Sequence, residues 1–373
     1  MPLTLEEIAF KLGVSASTVS RVVNKKKYVR KETRDKVLEA ISKYGYVPNQ
    51  VARSLKCRTS NTVAYIVPDI SEDFFAYVYK GAESIFRAHG YNILMCDTDE
   101  DQEREAMYLD VIAQKQIAGV MLATVSGEGS PVLEHIRNGM KVVFFDNLPA
   151  LCKTGAGPNG YGYYTVITDN IKASKMAVSH LAELGHRSIG IIAGKQEETT
   201  GEERLNGYIA EIRERNLDLR DDLIAIGDFK EKSGYQGMKR LLQKNRPGYG
   251  SGDRNGLNRI TAVYVTSSRM TYGAIKAIYE SGLKIPGDIA LVGFDIKDPS
   301  GLIKPGITTL LQDEAGIGRA SAKFLLDCLN KNITLNGSER TEITEKTVGY
   351  ARGRALFTPE LAVRESSGRG IRV

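Results

Sequence analysis

At 373 residues the chain exceeds the size at which a single hydrophobic core keeps growing, so two or three compact units are expected. Hydrophobic residues make up 42% and charged ones 26%, which excludes wholesale disorder; no stretch approaches the roughly 20 apolar residues of a membrane helix, and MPLTLEEIAF lacks a signal-peptide core. A cytoplasmic protein without membrane contact is expected. The net charge of +6 is uneven: residues 1–60 carry 13 basic against 5 acidic side chains, the remainder 38 against 40. That basic excess reads as an electrostatic footprint for nucleic acid or, more plainly, as a solvated charged terminus.

The first helix opens at Thr4-Leu5-Glu6-Glu7, a capping box, and runs from about Leu5 to Leu12. Gly13 supplies a turn, and Ser15 can cap a second helix reaching about Asn24 with Val19 and Val22 on its inner face. Ala9, Gly13 and Val19 have helix-turn-helix spacing: a small residue for close approach, a glycine for the turn, a branched residue to lock the pair. A third helix, about Lys31 to Tyr44, presents Val37, Leu38 and Ile41 to the first two and stops at Gly45. After Pro48, Asn49 can cap a short segment, Gln50 to Lys56, followed by a polar linker at Arg58 to Asn61.

From Thr62 apolar runs alternate with amphipathic helical stretches. The runs are Val63 to Val67, Asn92 to Cys96, Gly119 to Leu122, Val142 to Phe145, Ile189 to Ala193, Ala262 to Val265 and Ile289 to Gly293. This alternation implies parallel sheets with helices on both faces. A glycine-rich break at Thr154 to Tyr164 separates two similar α/β halves, and a ligand cleft is expected between them, beyond the carboxyl ends of the strands. Cysteines 57, 96, 152 and 328 are scattered without C-x-x-C spacing, as are the four histidines. No disulfide framework, metal site or cofactor is expected.

Several motifs together resemble one family. Thr18-Val19-Ser20-Arg21-Val22-Val23-Asn24, Glu32-Thr33-Arg34, Gly45-Tyr46-Val47-Pro48-Asn49 and Val51-Ala52-Arg53-Ser54-Leu55 are similar to the headpiece of the lactose-repressor (LacI-type) family. Further on, Val67-Pro68-Asp69-Ile70-Ser71, Gly90-Tyr91, Leu184-Gly185-His186-Arg187, Val292-Gly293-Phe294-Asp295 and Val363-Arg364-Glu365-Ser366 continue the likeness in order. The resemblance implies a sequence-specific transcriptional regulator, most simply a repressor: an all-α helix-turn-helix headpiece joined to an α/β periplasmic-binding-protein-like core of two parallel-sheet subdomains. The expected division is a headpiece at 1–48, a hinge helix and linker at 49–61, a core at 62–366 and a tail at 367–373. Within the core, 62–163 with 298–329 would form one subdomain and 164–297 with 330–366 the other.

Carried over residue by residue, the resemblance places Ala16, Ser17, Thr18, Arg21 and Asn24 at the DNA major groove, with Arg21 able to fork onto a guanine edge or to contact a phosphate. Asn49, Ala52, Arg53 and Leu55 match the hinge helix, where Leu55 would wedge into the minor groove at a deformable central step such as CG. For the effector site it selects Phe74, Phe75, Asp146, Thr200, Arg204, Phe229, Ser267 and Asp295. Charged and hydroxyl groups would bind vicinal hydroxyls while phenyl rings cover apolar ring faces, as suits a carbohydrate; a nucleobase or other metabolite is the alternative. The phenylalanines can equally be core, and the alternative for Arg204 and Asp295 is an interlobe ion pair without ligand contact. Ser267-Ser268 departs from the acidic pair usual there, and Glu198 argues against an anionic effector. The expected partners are a pseudo-palindromic double-stranded operator and a second copy of the chain.

Two look-alikes carry nothing. Gly155 to Gly160 spells G-x-G-x-x-G, but Pro158 cannot open a phosphate-holding helix, and Gly194-Lys195 lacks the rest of a phosphate-binding loop. A Rossmann-type enzyme would need a nucleophile, base or cofactor loop, and a sugar-transport protein would leave residues 1–60 unexplained.

Overall fold

The structure, a computed structural model, describes residues 3–23, 28–46, 60–125, 131–149, 163–243, 259–298, 300–330, 348–351 and 353–368. It divides into two compact units, residues 1–60 and 61–373.

The first unit holds α1 (Leu5–Leu12), α2 (Ala16–Val23) and α3 (Lys31–Tyr44). The capping box forms: the Thr4 amide donates to Glu7 Oε2 at 2.7 Å and the Glu7 amide to Thr4 Oγ1 at 3.2 Å. Gly13 and Gly45 take the left-handed conformation, at φ 63° and 60°, which ends α1 and α3 at no steric cost. Ile8, Ala9, Val19, Val22, Val37 and Ala40 make the miniature core, with Ile41 packed against it. Leu38 does not join them and is 48% exposed. Positions 37, 40 and 41 share one helical face, and residue 38 is turned about 100° away from 37 by the 3.6-residue period.

The second unit contains two sheets. Its elements are β1 (Thr62–Val67), α4 (Asp73–Ala88), β2 (Asn92–Asp97), α5 (Gln102–Gln114), β3 (Val120–Leu122), α6 (Val132–Arg137), β4 (Val142–Phe145), β5 (Tyr163–Thr168), α7 (Asn170–Glu183) and β6 (Ile189–Ala193). There follow α8 (Thr199–Glu214), β7 (Ile224–Ile226), α9 (Glu231–Gln243), β8 (Ala262–Val265), α10 (Ser268–Glu280), β9 (Ala290–Phe294), β10 (Thr308–Leu311), α11 (Glu314–Leu329), β11 (Val348–Ala351), β12 (Arg354–Phe357) and β13 (Glu360–Ala362). The first sheet has the order β11-β12-β5-β4-β3-β1-β2 and the second β13-β10-β9-β8-β6-β7. Among the described residues only the β11–β12 and β13–β10 pairs are antiparallel.

Continuous apolar strands suit sheets covered on both faces. In β1, Val63, Tyr65 and Val67 join the core under α4 and α11, while Ala64 and Ile66 join the opposite one with Leu109 and Ile112 of α5. Helices α4 and α11 approach at glycines: a Cβ at Gly318 would stand 2.0 Å from the Val78 carbonyl and one at Gly81 2.2 Å from that of Ala315.

The expected subdomain boundaries need correction. Among the described residues the chain changes sheets three times, at 168–170, 311–314 and 357–360, so β5 closes the first lobe rather than opening the second. The segment 298–329 is split, with β10 in the second sheet and α11 packed on the first; 330–366 is split likewise, β11 and β12 belonging to the first sheet and β13 to the second. Tyr163 and Tyr164 therefore lie in a strand, while the rest of the glycine-rich 154–164 stretch falls outside the described residues. The core extends past 366: Ser367 is fully buried, its hydroxyl 2.9 Å from His180 Nε2 and 2.8 Å from Thr308 Oγ1.

Candidate functional site

Two surfaces carry chemistry. On the headpiece, burial of Val19 and Val22 fixes which face of α2 is turned outward, leaving Ala16, Ser17 and Arg21 exposed one turn apart. Thr18 is half-buried and belongs to the helix start: its amide donates to Ser15 Oγ at 3.2 Å, and its hydroxyl lies 2.8 Å from the same atom. Tyr28 is 93% exposed. Asn24, Asn49, Ala52, Arg53 and Leu55 lie outside the described residues.

The other surface is a cavity of about 210 Å³ in the second unit. Segments following β1, β4, β6, β7, β8 and β9 line it, so it sits where the carboxyl ends of both sheets face each other. All eight residues selected from the sequence, Phe74, Phe75, Asp146, Thr200, Arg204, Phe229, Ser267 and Asp295, are brought to this one cavity. Three of them, Asp146, Phe229 and Asp295, have φ between 52° and 67°. Non-glycine residues in this conformation store strain that surrounding structure must offset, and they concentrate at functional sites.

Not every member is equally free. Arg204, 5% exposed, is clamped: Nε donates to Asn170 Oδ1 at 2.8 Å, Nη1 to the Thr266 carbonyl at 2.7 Å, and the guanidinium stacks 3.7 Å from the Phe294 ring centroid. Asp295 accepts from the Gln312 backbone at 2.9 Å and from its side chain at 2.5 Å. The two are thus held by other partners and not by each other. Thr200 donates its hydroxyl to Asn147 Oδ1 at 2.9 Å, and Ser267 Oγ caps α10 by accepting from the Met270 amide at 3.3 Å. Phe75 is a core residue, edge-on to Phe145 with centroids 6.3 Å apart, while Phe74 packs on its flank. A Cβ at Gly194 would meet the Phe229 ring at 1.9 Å, so only glycine there leaves room for that ring.

Several lining residues escape sequence inspection. Asn147, 4% exposed, ties the loop after β4 to the start of α8, donating to Glu198 at 2.8 Å and accepting from the Thr200 amide at 3.2 Å. Gln312, at a crossover between sheets, accepts from the Thr168 hydroxyl while holding Asp295. Asp69, Glu72, Asp73, Glu100, Lys195, Arg269, Lys297 and Glu314 complete the charged lining. Burial pushes the Asp146 carboxyl up to about 7 against the pull of Arg204, with Glu198, Glu72 and Asp295 adding repulsion. Glu72 is raised to about 7 by burial against the pull of Arg269. Burial also raises Asp295 and Glu198. Among the described residues no cluster of three His, Cys, Asp or Glu could hold a metal ion, and no helix is long and apolar enough to cross a membrane.

Comparison with known proteins places both surfaces in one family. Residues 4–49 match the model of bacterial regulatory proteins of the lacI family, and 178–348 match a periplasmic binding protein-like domain. The HTH-type transcriptional repressor PurR of Histophilus somni is 30% identical over 364 residues, 97% of this chain and 98% of that one. PurR of Pectobacterium atrosepticum is 33% identical over 327 residues, covering 87% and 89%. Among solved structures, the Lac repressor dimer bound to operator and the anti-inducer ONPF shares the fold, with a TM-score of 0.78 at 22% identity over 99% of this chain and 100% of that one. A complex of the transcriptional regulator CelR with cellobiose has a TM-score of 0.64 at 27% identity, covering 98% and 99%. A helix-turn-helix headpiece, a two-sheet core with its cleft, and this likeness over nearly the whole length converge: the chain belongs to the LacI family of bacterial transcriptional repressors.

Proposed function

We propose that this repressor binds a pseudo-palindromic operator as a homodimer in the cytoplasm, without catalysis, and that a small polyhydroxylated molecule in the cleft, a carbohydrate, sets its operator affinity. One observation carries the effector reading: Asp146, Arg204 and Asp295 converge on a single cavity with the rings of Phe74 and Phe229. Carboxylates and a guanidinium bind vicinal hydroxyls, and aromatic rings cover the apolar face of a sugar. The cavity volume of about 210 Å³ suits a single sugar ring better than a large ligand. Cellobiose in the CelR complex is consistent with this class. On the DNA side, Arg21 reads a base edge from the major groove, Ala16, Ser17 and Thr18 flank it, and Leu55 wedges the central step.

The test is operator binding by the full chain, titrated with a panel of sugars. Arg204→Ala and Asp295→Ala are expected to abolish the response to the active sugar while leaving operator affinity nearly unchanged, because truncation leaves polar groups of the ligand unpaired. If both variants respond at wild-type sugar concentrations, the cleft is not the effector site.

A further inference from the structure

Charge is distributed unevenly between the walls of the cleft. The first lobe contributes Asp69, Glu72, Asp73, Glu100 and Asp146, and the second Glu198 and Asp295; the lining cations Lys195, Arg204, Arg269 and Lys297 all come from the second. Three of those cations are already paired. Lys195 Nζ stands 2.6 Å from Glu100 and 3.4 Å from Glu198, Arg269 Nη1 3.0 Å from Asp69, and Lys297 Nζ 2.7 Å from Glu314. The fourth, Arg204, donates to the neutral oxygens of Asn170 and Thr266.

Two carboxylates are left over. No donor among the described residues hydrogen-bonds the side chain of Asp146 or of Glu72. The cation next to Glu72 is Arg269 Nε at 3.9 Å, on a guanidinium already donating to Asp69 and Ser71. Glu72 and Asp146 line the same cavity. Each is acceptor-only when ionised. A hydroxyl would supply hydrogen bonds without charge, whereas an ammonium supplies three donors and a positive charge together. An anion would meet repulsion from the same wall.

Resting on the reading of the cleft as the effector site, we infer that the effector is a cation: a polyhydroxylated amine of the 2-amino-2-deoxyhexose class. Its ammonium sits between Glu72 and Asp146, and its hydroxyls face Arg204 and Asp295. Selectivity for the amine then comes from the first lobe and recognition of the ring from the second.

Calorimetric titration of the full chain at pH 7.5 against matched trios tests this: glucosamine, glucose and glucuronate, and the corresponding galactose and mannose series. The amine is expected to bind at least about tenfold more tightly than its neutral partner, the acid not at all, and N-acetylation to remove the advantage. Glu72→Gln and Asp146→Asn should each reduce the ratio of amine to neutral affinity several-fold. The wild-type ranking stands as a test even if a variant fails to fold. A neutral or acidic sugar binding as tightly as its amine, no binding by any amine, or an unchanged ratio in both variants would overturn the inference. If a neutral sugar wins and still alters operator affinity, the effector-site reading survives and only the cation falls. If no compound of any charge binds, and Arg204→Ala behaves as wild type on the operator, both fall.

Discussion

Arg269 Nη1 lies 3.0 Å from Asp69 Oδ2, joining the first turn of α10 in the second lobe to the loop after β1 in the first. Its Nη2 donates to Ser71 Oγ at 2.7 Å. Burial would raise the Asp69 carboxyl, but the Ser71 hydrogen bonds and Arg269 bring it below its ordinary range. Lys195 and Lys230 reach Glu100, also of the first lobe, at 2.6 and 3.3 Å. Ion pairs formed across the cleft therefore join the two lobes.

Removing that clasp is expected to favour opening. Arg269→Ala should weaken binding of the effector about fivefold, since a partly exposed pair contributes about 1 kcal/mol. In small-angle scattering the ligand-free variant should show a larger radius of gyration than wild type. The wild-type radius should itself rise with salt, which screens pairs at this exposure. An unchanged scattering profile with unchanged affinity would show that the pair does not hold the lobes.

The headpiece and the central strands were legible in the sequence because their signals are local. Capping at Thr4 and Glu7, the turn at Gly13 and the apolar runs of β1, β4, β6 and β8 each lie within a few residues. What escaped were the crossovers. Strands β10, β12 and β13 are three or four residues long, and Thr308, Thr309, Arg354 and Glu360 break their apolar pattern. Whether such a strand joins one sheet or the other is decided by pairing partners distant in the chain: β12 pairs with β5 and β10 with β9. The cleft shows the same division. Asp146 and Asp295 follow obvious strands, whereas Asn147 and Gln312 gain their importance from Thr200 and Thr168 across the lobes, which no local motif records.

Asp146 and Glu72 should make stability depend on pH. Both carboxyls are raised in the folded state, to about 7, so the folded protein holds protons that the unfolded chain has released. Their contribution to stability is present in full below about pH 4, and is lost as pH rises through about 7. Asp146→Asn and Glu72→Gln mimic the protonated forms. In differential scanning calorimetry without ligand, each should raise the melting temperature by a few degrees at pH 8, a gain on the order of 1–2 kcal/mol, and by much less at pH 5. Equal gains at both pH values would mean that packing rather than charge is responsible.

Gly194→Ala is expected to damage the cleft selectively. The added methyl would overlap the Phe229 ring, which must swing away from the cavity or distort its own left-handed backbone. Overpacking of this kind costs about 1–3 kcal/mol. Effector affinity should fall at least tenfold while operator binding without ligand persists. Phe229→Ala in the same chain should relieve the clash, so the double variant should recover the lost thermal stability but not the affinity. If Gly194→Ala binds effector normally, Phe229 does not shape the site.

Arg21 distinguishes reading of bases from attraction to the backbone. It is exposed on α2, while Val19 and Val22 on the same helix are buried, which directs it away from the headpiece core. If it forks onto a guanine edge, Arg21→Ala should cost about 1–3 kcal/mol on the specific operator, relax discrimination at one base pair of each half-site, and leave non-specific affinity nearly unchanged. If it neutralises a phosphate, affinity should fall almost uniformly across sequences, and the slope of log affinity against log salt should diminish by about one unit per half-site. Fluorescence anisotropy with operator and scrambled duplexes at several salt concentrations separates the two. The base-reading assignment requires the loss to vary with sequence and the salt slope to be preserved. A uniform loss with a reduced slope would move Arg21 to the backbone and leave Ala16, Ser17 and Thr18, with their short side chains, as the major-groove readers on this helix.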